Sequence, residues 1–323
     1  MRSVTGFFAA IGLLVALCNS SAIAEEKQDT ATPVPSTLPV PVPLKLRGVP
    51  AWTFTHPEKF EVTHAATCET RFEGRRVDYK DRGASELQVR VKLEDDADAA
   101  KTLAKIVGVA GFIKNSDGTR WDYTLDKDGF KETRGDKVLR QLMREGNAEE
   151  RTRVTRAVSA SAAELTWDPD GNSRSALTAD GLLEPLAETL ALDRQVELLL
   201  PPIPNSLYEG VTFHQTVHVL SPAPLHGESL VKFTYRVDRV ESNRVAEISF
   251  SGDSSELIPT GFEWGGIPLA NATVKVSVHG KTTRDVRTQA LTAAELEYDL
   301  QISSSKVDFA SHLKCRDEWK HKD

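Results

Sequence analysis

The sequence predicts an α+β fold dominated by strands: a large antiparallel meander or curved sheet, either a half-barrel or a sandwich, with a few covering helices. Two observations support this prediction. Apolar and polar residues alternate with a period of two in many segments, as in Glu86–Glu94, where leucine or valine fills every second position. Turn-forming residues separate these segments, as expected for neighbouring antiparallel strands.

The alternation is most regular in the C-terminal third of the chain. It occurs in Val211–Val219, Leu230–Val240, Arg244–Phe250, Ala272–His279 and Ala294–Ile302. Turns are expected at His226-Gly227, Glu241-Ser242-Asn243, Ser251-Gly252-Asp253 and His279-Gly280. This third is therefore predicted to be an antiparallel meander with one face in solvent.

Three segments favour helix instead: Asp96–Val109, Lys137–Glu145 and Gly181–Leu192. In the last segment, leucines recur every four residues, and Pro185 fits only in the first turn of a helix. Asp-Gly pairs predict further tight turns, since glycine adopts positive φ without strain, at Asp117-Gly118, Asp128-Gly129, Asp170-Gly171 and Asp180-Gly181. Three prolines within residues 201–204 break the chain, so an internal boundary is expected near residues 193–205.

The first 24 residues have the layout of a cleaved secretory signal. Arg2 precedes an apolar run, Val4–Leu17, and the small-residue exit Ala22-Ile23-Ala24 follows. The run is shorter than the roughly 20 residues that span a bilayer as a helix. We therefore expect export to the periplasm or cell surface of a bacterium. A lipid anchor at Cys18 is the less favoured alternative, because Leu17 stands where such signals require a small residue.

Residues 25–43 form a proline-rich linker, and residues 44–323 form the β-rich body. The linker carries five prolines after Thr32 and has no apolar period, so it is expected to be disordered and extended. The formal net charge of the chain is -7, with 47 acidic and 40 basic side chains and no long basic block. Nucleic acid is therefore not expected as a partner. No apolar run after the signal approaches membrane-spanning length, so the cleaved product is not expected to span a membrane.

Cysteine usage points to one disulfide. Cys18 lies in the signal, which leaves Cys68 and Cys315. Two cysteines in an oxidising compartment favour a bridge between them. The alternative is two free, buried thiols.

The order of elements resembles that of certain uncharacterised secreted or lipid-anchored bacterial β-proteins. The resemblance rests on a strand pair, an Asp180-Gly181-Leu182-Leu183 helix, a turn at residues 199–202 (Leu-Leu-Pro-Pro), the strand Gly210–Val219 and the final meander. Those proteins are similar in outline to periplasmic carriers, in which a curved antiparallel sheet wraps over helices. The resemblance implies no catalytic residue.

Candidate metal sites have simpler structural interpretations. His214 and His218 share one face of a predicted strand but stand about 13 Å apart, too far to share an ion without a third element. Asp126-Lys127-Asp128-Gly129 and residues 168–172 resemble fragments of calcium loops, but neither supplies the full set of oxygen ligands. The acidic run at residues 94–98 suits a helix start. We predict no metal and no cofactor.

Candidate catalytic residues are also weak. Gly252-Asp253-Ser254-Ser255 matches the opening motif of one esterase class, but no Asp-x-x-His follows, only His279, His312 and His321. A hairpin turn is the favoured interpretation of Ser254. Arg134-Gly135-Asp136, the tripeptide of adhesion ligands, is expected to be a turn or helix cap.

Three functions remain open. The favoured one is a non-catalytic binding or scaffold protein of the bacterial envelope, whose curved sheet holds an apolar small molecule or lipid. The second is an esterase-like secreted hydrolase that uses Ser254, His214 or His218. The third is a structural component that assembles with an envelope protein.

Overall fold

The computed structural model describes residues 58–322, except for fourteen short gaps. The gaps are 75–76, 97–100, 115–117, 168–172, 180, 202–206, 221–224, 227, 242–243, 259–262, 265–266, 269–270, 287–289 and 305–308. The predicted signal, the linker, the start of the body and the turn at residues 168–172 lie outside the described residues.

The first part of the described chain contains eight strands and three helices. The strands are β1 (Glu58–Gly74), β2 (Val77–Asp96), β3 (Lys101–Lys114), β4 (Arg120–Leu125), β5 (Gly129–Arg134), β6 (Lys137–Met143), β7 (Ala163–Trp167) and β8 (Ser173–Leu177). The helices are α1 (Ala148–Ser159), α2 (Glu184–Leu190) and α3 (Leu192–Leu199).

The second part is made of strands. They are β9 (Thr212–Leu220), β10 (Leu225–His226), β11 (Glu228–Glu241), β12 (Val245–Ile258), β13 (Glu263–Trp264), β14 (Ile267–Pro268), β15 (Ala272–Asp285), β16 (Leu291–Ser304) and β17 (Phe309–Lys322). All five alternating segments predicted in this part lie within these strands, apart from their end residues Val211 and Arg244.

Fourteen of the described strands form one open, curved antiparallel sheet. Twelve follow the order β6-β5-β4-β3-β2-β1-β17-β16-β15-β12-β11-β9, while β7 pairs with β3 and β8. The first strand therefore pairs with the last, from Lys59↔Lys322 to Phe72↔Phe309. The β-dominated fold with covering helices is confirmed, and strands from both sides of residues 193–205 belong to the same sheet.

One face of this sheet, called the inner face below, carries the hydrophobic core. Alternate residues of each long strand point to it, such as Phe60 and Val62 on β1 and Val89 and Val91 on β2, all 0% exposed. The apolar sides of α2 and α3 are buried in the same core. The opposite, outer face carries charged side chains in solvent. This arrangement follows directly from the period of two in the sequence.

Two of the three predicted helices are wrong. The segment Asp96–Val109 falls largely in β3, and Lys137–Glu145 falls largely in β6. In β3, Thr102, Ala104 and Ile106 alternate into the core and pair with β2, which overrides the helix preference of the alanines. Pairing of β6 with β5 has the same effect, although it leaves apolar side chains of β6 exposed.

The third predicted helix, Gly181–Leu192, is confirmed in part. Leu182, Leu186 and Leu190 are buried as expected, but the helical region is two short helices rather than one. Ala191 adopts left-handed backbone angles, with φ 46° and ψ 47°, and separates α2 from α3. An unpredicted helix, α1, begins after Asn147, whose side chain caps it by accepting a hydrogen bond from the Glu150 amide.

Two predicted turns are also wrong, because Ser251-Gly252-Asp253 lies inside β12 and His279-Gly280 lies inside β15. At Gly252, a Cβ atom would stand 2.7 Å from the Phe233 ring, so this glycine provides room rather than a turn. The turn at Asp128-Gly129 is confirmed between β4 and β5. Arg134-Gly135-Asp136 is also a turn, but it leads into a strand. No helix among the described residues is long and apolar enough to cross a membrane.

Candidate functional site

A cavity of about 420 Å³ lies across the middle of the sheet. The cavity is lined by four residues, Ser85, Ala66, Cys315 and Tyr298, by the residues directly before and after each of them in the chain, and by His279. These four residues, called the central row below, lie side by side on β2, β1, β17 and β16. Their register is Ala66↔Ser85, Ala66↔Cys315 and Tyr298↔Cys315. Since paired residues share a face, the central row belongs to the inner face.

The inner face becomes more accessible along β1 and β17 as it reaches the central row. On β1, Phe60 and Val62 are fully buried, whereas Ala66 is half-buried. On β17, Trp319 is fully buried, whereas Cys315 is half-buried. Three of the four side chains in the central row are small. The cavity itself lies on the outer face, because its other lining residues, such as Ala65, Glu86 and Lys314, are in the outer-face phase of their strands, and the inner-face neighbours of the central row do not line it.

Three buried polar side chains on the inner face form a hydrogen-bonded chain, called the relay below. Asp317 Oδ1 lies 2.7 Å from His64 Nδ1, and His64 Nε2 lies 3.0 Å from Ser85 Oγ. With Asp317 ionised, Nδ1 carries the ring proton and donates it to the carboxylate, which leaves Nε2 to accept the Ser85 hydroxyl proton. The side chains are buried, with residue exposures of 1%, 2% and 5% for His64, Asp317 and Ser85.

Strand register positions the relay. His64 stands directly opposite Asp317 across the β1–β17 pair, and Ser85 on β2 is diagonal to it, because His64 faces Leu87 and Ala66 faces Ser85. Both distances are typical of side-chain neighbours on one face of an antiparallel sheet. A carboxylate, an imidazole and a hydroxyl linked in this order are the elements of nucleophilic acyl transfer.

Cys68 and Cys315, the predicted disulfide partners, lie on adjacent strands and on the same face. Their register differs by two positions, since Cys68 faces Leu313 and Cys315 faces Ala66. The structure shows no disulfide between them, and Cys68 Sγ lies 3.8 Å from Thr70 Oγ1. Burial raises the pKa of the Cys315 thiol, and the nearby Asp317 carboxylate adds to the effect. The bridge stays a prediction.

A second buried polar cluster, the helix-side network, joins α3 to the sheet. Glu197 on α3 accepts hydrogen bonds from Ser173 at 3.1 Å and Ser175 at 2.5 Å, while Arg194 Nη1 donates to Ser175 Oγ at 3.0 Å. Gln215 Nε2 donates to Ser173 Oγ at 2.6 Å, and the Tyr235 hydroxyl lies 3.1 Å from Gln215 Oε1. The cluster continues at Trp319 and Arg284, which donate to Gln195 Oε1 at 2.7 Å and to the Leu199 carbonyl.

Burial dominates the electrostatics of the helix-side network. It raises the pKa of Glu197, although hydrogen bonds from Ser175 and Ser173 and the Arg194 charge oppose it, and it raises the pKa of Asp193. Burial also lowers the pKa of Arg284 to about 10. Because its polar groups bond to one another and to the backbone, this network holds α3 against the sheet rather than facing a ligand.

The structure separates the residues considered for metal binding. His214 lies on β9 with its ring Nδ1 3.1 Å from Thr234 Oγ1, while His218 lies on the same strand and its side chain is outside the described part. Asp126 Oδ1 accepts hydrogen bonds from the Asp128 and Gly129 amides of its own turn. Among the described residues, no group of three or more His, Cys, Asp or Glu side chains is arranged to hold a metal ion.

The residues considered for an esterase site are likewise apart. Ser254 is half-buried on β12, opposite Val276. His279 contacts Glu297 at 2.9 Å, His312 contacts Asp299 at 3.0 Å, and His321 contacts Glu58. None of these three contacts involves Ser254. The expected position of Ser254 in a hairpin is wrong, since β12 continues past it.

Sequence reasoning missed the relay, although a signal for it exists. Each relay residue falls in the same phase of the alternation as apolar residues of its own strand: His64 with Phe60 and Val62, Ser85 with Leu87, and Asp317 with Trp319. Each relay residue is therefore a polar side chain in the buried phase of a strand. Such a residue requires a hydrogen-bonding partner.

No family model and no curated protein matches this chain. Among solved structures, 82% of the chain aligns with 25% of a structure described as lipid–protein interactions in lipovitellin, at 8% identity and a TM-score of 0.37. The β domain of the Bordetella autotransporter BrkA aligns with 81% of the chain over 98% of its own length, at 6% identity and a TM-score of 0.22. The translocator domain of the Neisseria meningitidis autotransporter NalP gives 9% identity and a TM-score of 0.19, with 81% of this chain and 88% of that domain covered. The chain thus spans about a quarter of the lipovitellin chain.

Proposed function

We propose that this chain is an exported binding protein of the bacterial envelope that holds an apolar or amphiphilic small molecule in the cavity across the middle of the sheet. The observation that carries the proposal is this cavity of about 420 Å³, which Ala65, Thr67 and Ala84 line on the outer face. Its volume falls within the range of roughly 300–1,000 Å³ typical of small-molecule sites. The small side chains of these three residues leave this space open.

The test is displacement of a fluorescent fatty acid from the purified mature chain, with and without filling of the cavity. The change Ala65→Phe places a ring in the cavity and is expected to weaken binding by about tenfold or more, since it removes the space the ligand occupies. The matched control is Ala310→Phe, which makes the same change at an exposed alanine on β17. Equal affinity in both variants and the wild type would contradict the proposed site.

Native mass spectrometry of the gently purified protein provides an independent test. A co-purifying lipid or other apolar molecule, lost on Ala65→Phe and kept on Ala310→Phe, supports the proposal. Wild-type protein that carries no ligand and binds no fatty-acid probe argues instead for a structural role in assembly.

We also propose that the chain is cleaved after Ala24 and exported. The apolar run from Val4 to Leu17 and the exit at Ala22-Ile23-Ala24 support this proposal. Mass spectrometry of the N-terminal peptide from the native source tests it. A peptide that begins at Glu25 is expected; a lipid-modified Cys18 would indicate an anchored protein, and a retained Met1 would contradict cleavage.

A further inference from the structure

We infer that the ligand of the cavity on the outer face carries an anionic group, a carboxylate or a phosphate, and that Arg316 and Lys314 bind this group. The inference rests on the proposed binding of a small molecule in that cavity and names the class of the ligand. Two observations support it. Both cations stand beside the small side chains of the cavity, and their ion pairs within the protein are long.

Strand register places the two cations beside the small side chains. Across the β1–β17 pair, Arg316 stands directly opposite Ala65, and Lys314 stands directly opposite Thr67. Residues opposite one another in an antiparallel pair share a face and have Cβ atoms about 5 Å apart. Both cations line the cavity. A molecule that lies over Ala65 and Thr67 is therefore within reach of a guanidinium and an ammonium group.

The ion pairs of both cations are longer than hydrogen bonds. Lys314 Nζ lies 3.8 Å from Asp299 Oδ2, and Arg316 Nη2 lies 3.6 Å from Glu318 Oε1. An N–H···O hydrogen bond spans about 2.7–3.2 Å. The side chains of Lys314 and Arg316 are both more than half exposed. Their N–H donors can therefore turn to an anion in the cavity without breaking a short ion pair.

The two carboxylates opposite these cations on β16, Glu297 and Asp299, are bound by histidines instead. His312 Nε2 lies 3.0 Å from both carboxylate oxygens of Asp299, and His279 Nε2 lies 2.9 Å from Glu297 Oε2. Because ionised carboxylates only accept hydrogen bonds, the imidazoles donate in both contacts. Both acids thus have short hydrogen bonds that do not involve the cations beside them.

Glu86, the third acidic residue of the lining, lies on the other side of the small side chains. Ala65 on β1 faces both Arg316 on β17 and Glu86 on β2, so two strand spacings, about 10 Å, separate the backbones of Arg316 and Glu86. Salt screens exposed charges beyond about 8 Å at physiological ionic strength. We therefore expect the anionic group at the β17 side of the cavity, and the apolar part of the ligand over Ala65 and Ala84.

The test is displacement of N-phenyl-1-naphthylamine, an uncharged apolar fluorophore, from the mature chain by four twelve-carbon amphiphiles. These are dodecanoate, dodecyl phosphate, dodecanol and dodecyltrimethylammonium. At least one of the two anions is expected to bind about tenfold more tightly than dodecanol, because only an anion makes charge-assisted hydrogen bonds with the two cations. The ammonium should bind more weakly than dodecanol. The tighter of the two anions identifies the head group as carboxylate or phosphate.

Variants locate the anionic group. Arg316→Gln and Lys314→Gln are each expected to weaken binding of the preferred anion by about tenfold and to leave dodecanol affinity unchanged. The matched control, Lys320→Gln, removes a cation of β17 that lies outside the lining, and it should leave the affinity for the anion unchanged. All three side chains are more than half exposed, so the variants are expected to fold.

The outcomes separate this inference from the proposed function. Equal affinity for all four amphiphiles, or tightest binding of the ammonium, overturns the inference and leaves the binding function standing. The same holds if Lys320→Gln weakens anion binding as much as Arg316→Gln does, since the effect is then one of overall charge. A wild-type chain that binds none of the four contradicts the proposed function as well.

Discussion

The two polar clusters of the inner face differ in the elements that hold them together. The helix-side network is covered by α3, and its side chains bond to one another and to helix carbonyls, as Tyr235 does to Leu198 at 3.1 Å. The relay joins three strands of the sheet: His64 on β1 bonds to Asp317 on β17 and to Ser85 on β2. A buried polar cluster can therefore be satisfied by strand register alone, without a helix.

The largest effect is expected where the helix-side network meets the sheet, at Trp319. This side chain is 1% exposed, packs against Phe60 with ring centroids 5.7 Å apart, and donates to Gln195 at 2.7 Å. Trp319→Ala should reduce the free energy of unfolding by about 3–5 kcal/mol because it leaves a cavity under α3. Trp319→Phe, the control, keeps most of the volume and should cost less. Denaturant unfolding measures both, and an equal loss would show that packing is not the cause.

Glu197 tests whether the helix-side network is structural. Glu197→Ala removes the acceptor of two serine hydroxyls and one of the two carboxylates near Arg194, the other being Asp193, so a loss of about 3 kcal/mol is expected. Glu197→Gln retains one oxygen acceptor and should cost less. Fatty-acid affinity should stay unchanged in both variants, and a selective loss of binding would assign this network to the ligand site.

The pH dependence of the same residue has a definite sign. Burial raises the pKa of Glu197 in the folded state, so its contribution to stability is complete below the unfolded pKa and is lost as pH rises through the folded pKa. The stability of the wild type relative to Glu197→Gln should therefore decrease between about pH 4 and pH 8. Unfolding curves across that range measure the difference. A constant or rising difference would show that the charged form is not penalised by burial.

A smaller effect of opposite sign is expected on the outer face, at Asp299. Partial burial opposes its ionisation, but hydrogen bonds from His312 and Gln301 outweigh that and lower its pKa. This contribution is present above the unfolded pKa and lost as pH falls through the folded pKa. Because the carboxylate is a third exposed, Asp299→Asn should cost less than about 1 kcal/mol at neutral pH. The control is Asp253→Asn, because Asp253 also lies on the outer face but accepts its hydrogen bond from the Ser277 hydroxyl.

The strands of the C-terminal part could be predicted from the sequence because alternation and burial agree there. Lys137–Met143 illustrates where this fails. Its apolar residues fall at helical spacing, and as a strand it leaves Val138 45% and Leu139 42% exposed. Pairing with β5 in a hairpin decides its conformation, and the spacing of its apolar residues does not show that pairing. The relay was missed for the same reason, since His64, Ser85 and Asp317 become neighbours only through the register of three strands.

The pairing of β1 with β17 has a consequence for how the chain acquires its structure. His64 and Asp317 are 253 positions apart, so β1 and β17 cannot pair until the segment of β17 has left the ribosome. Contacts of such high sequence separation form slowly, because a long loop must close before they contribute. Until β17 is available, the edge of β1 that pairs with it stays open, and the sheet cannot be completed across its middle.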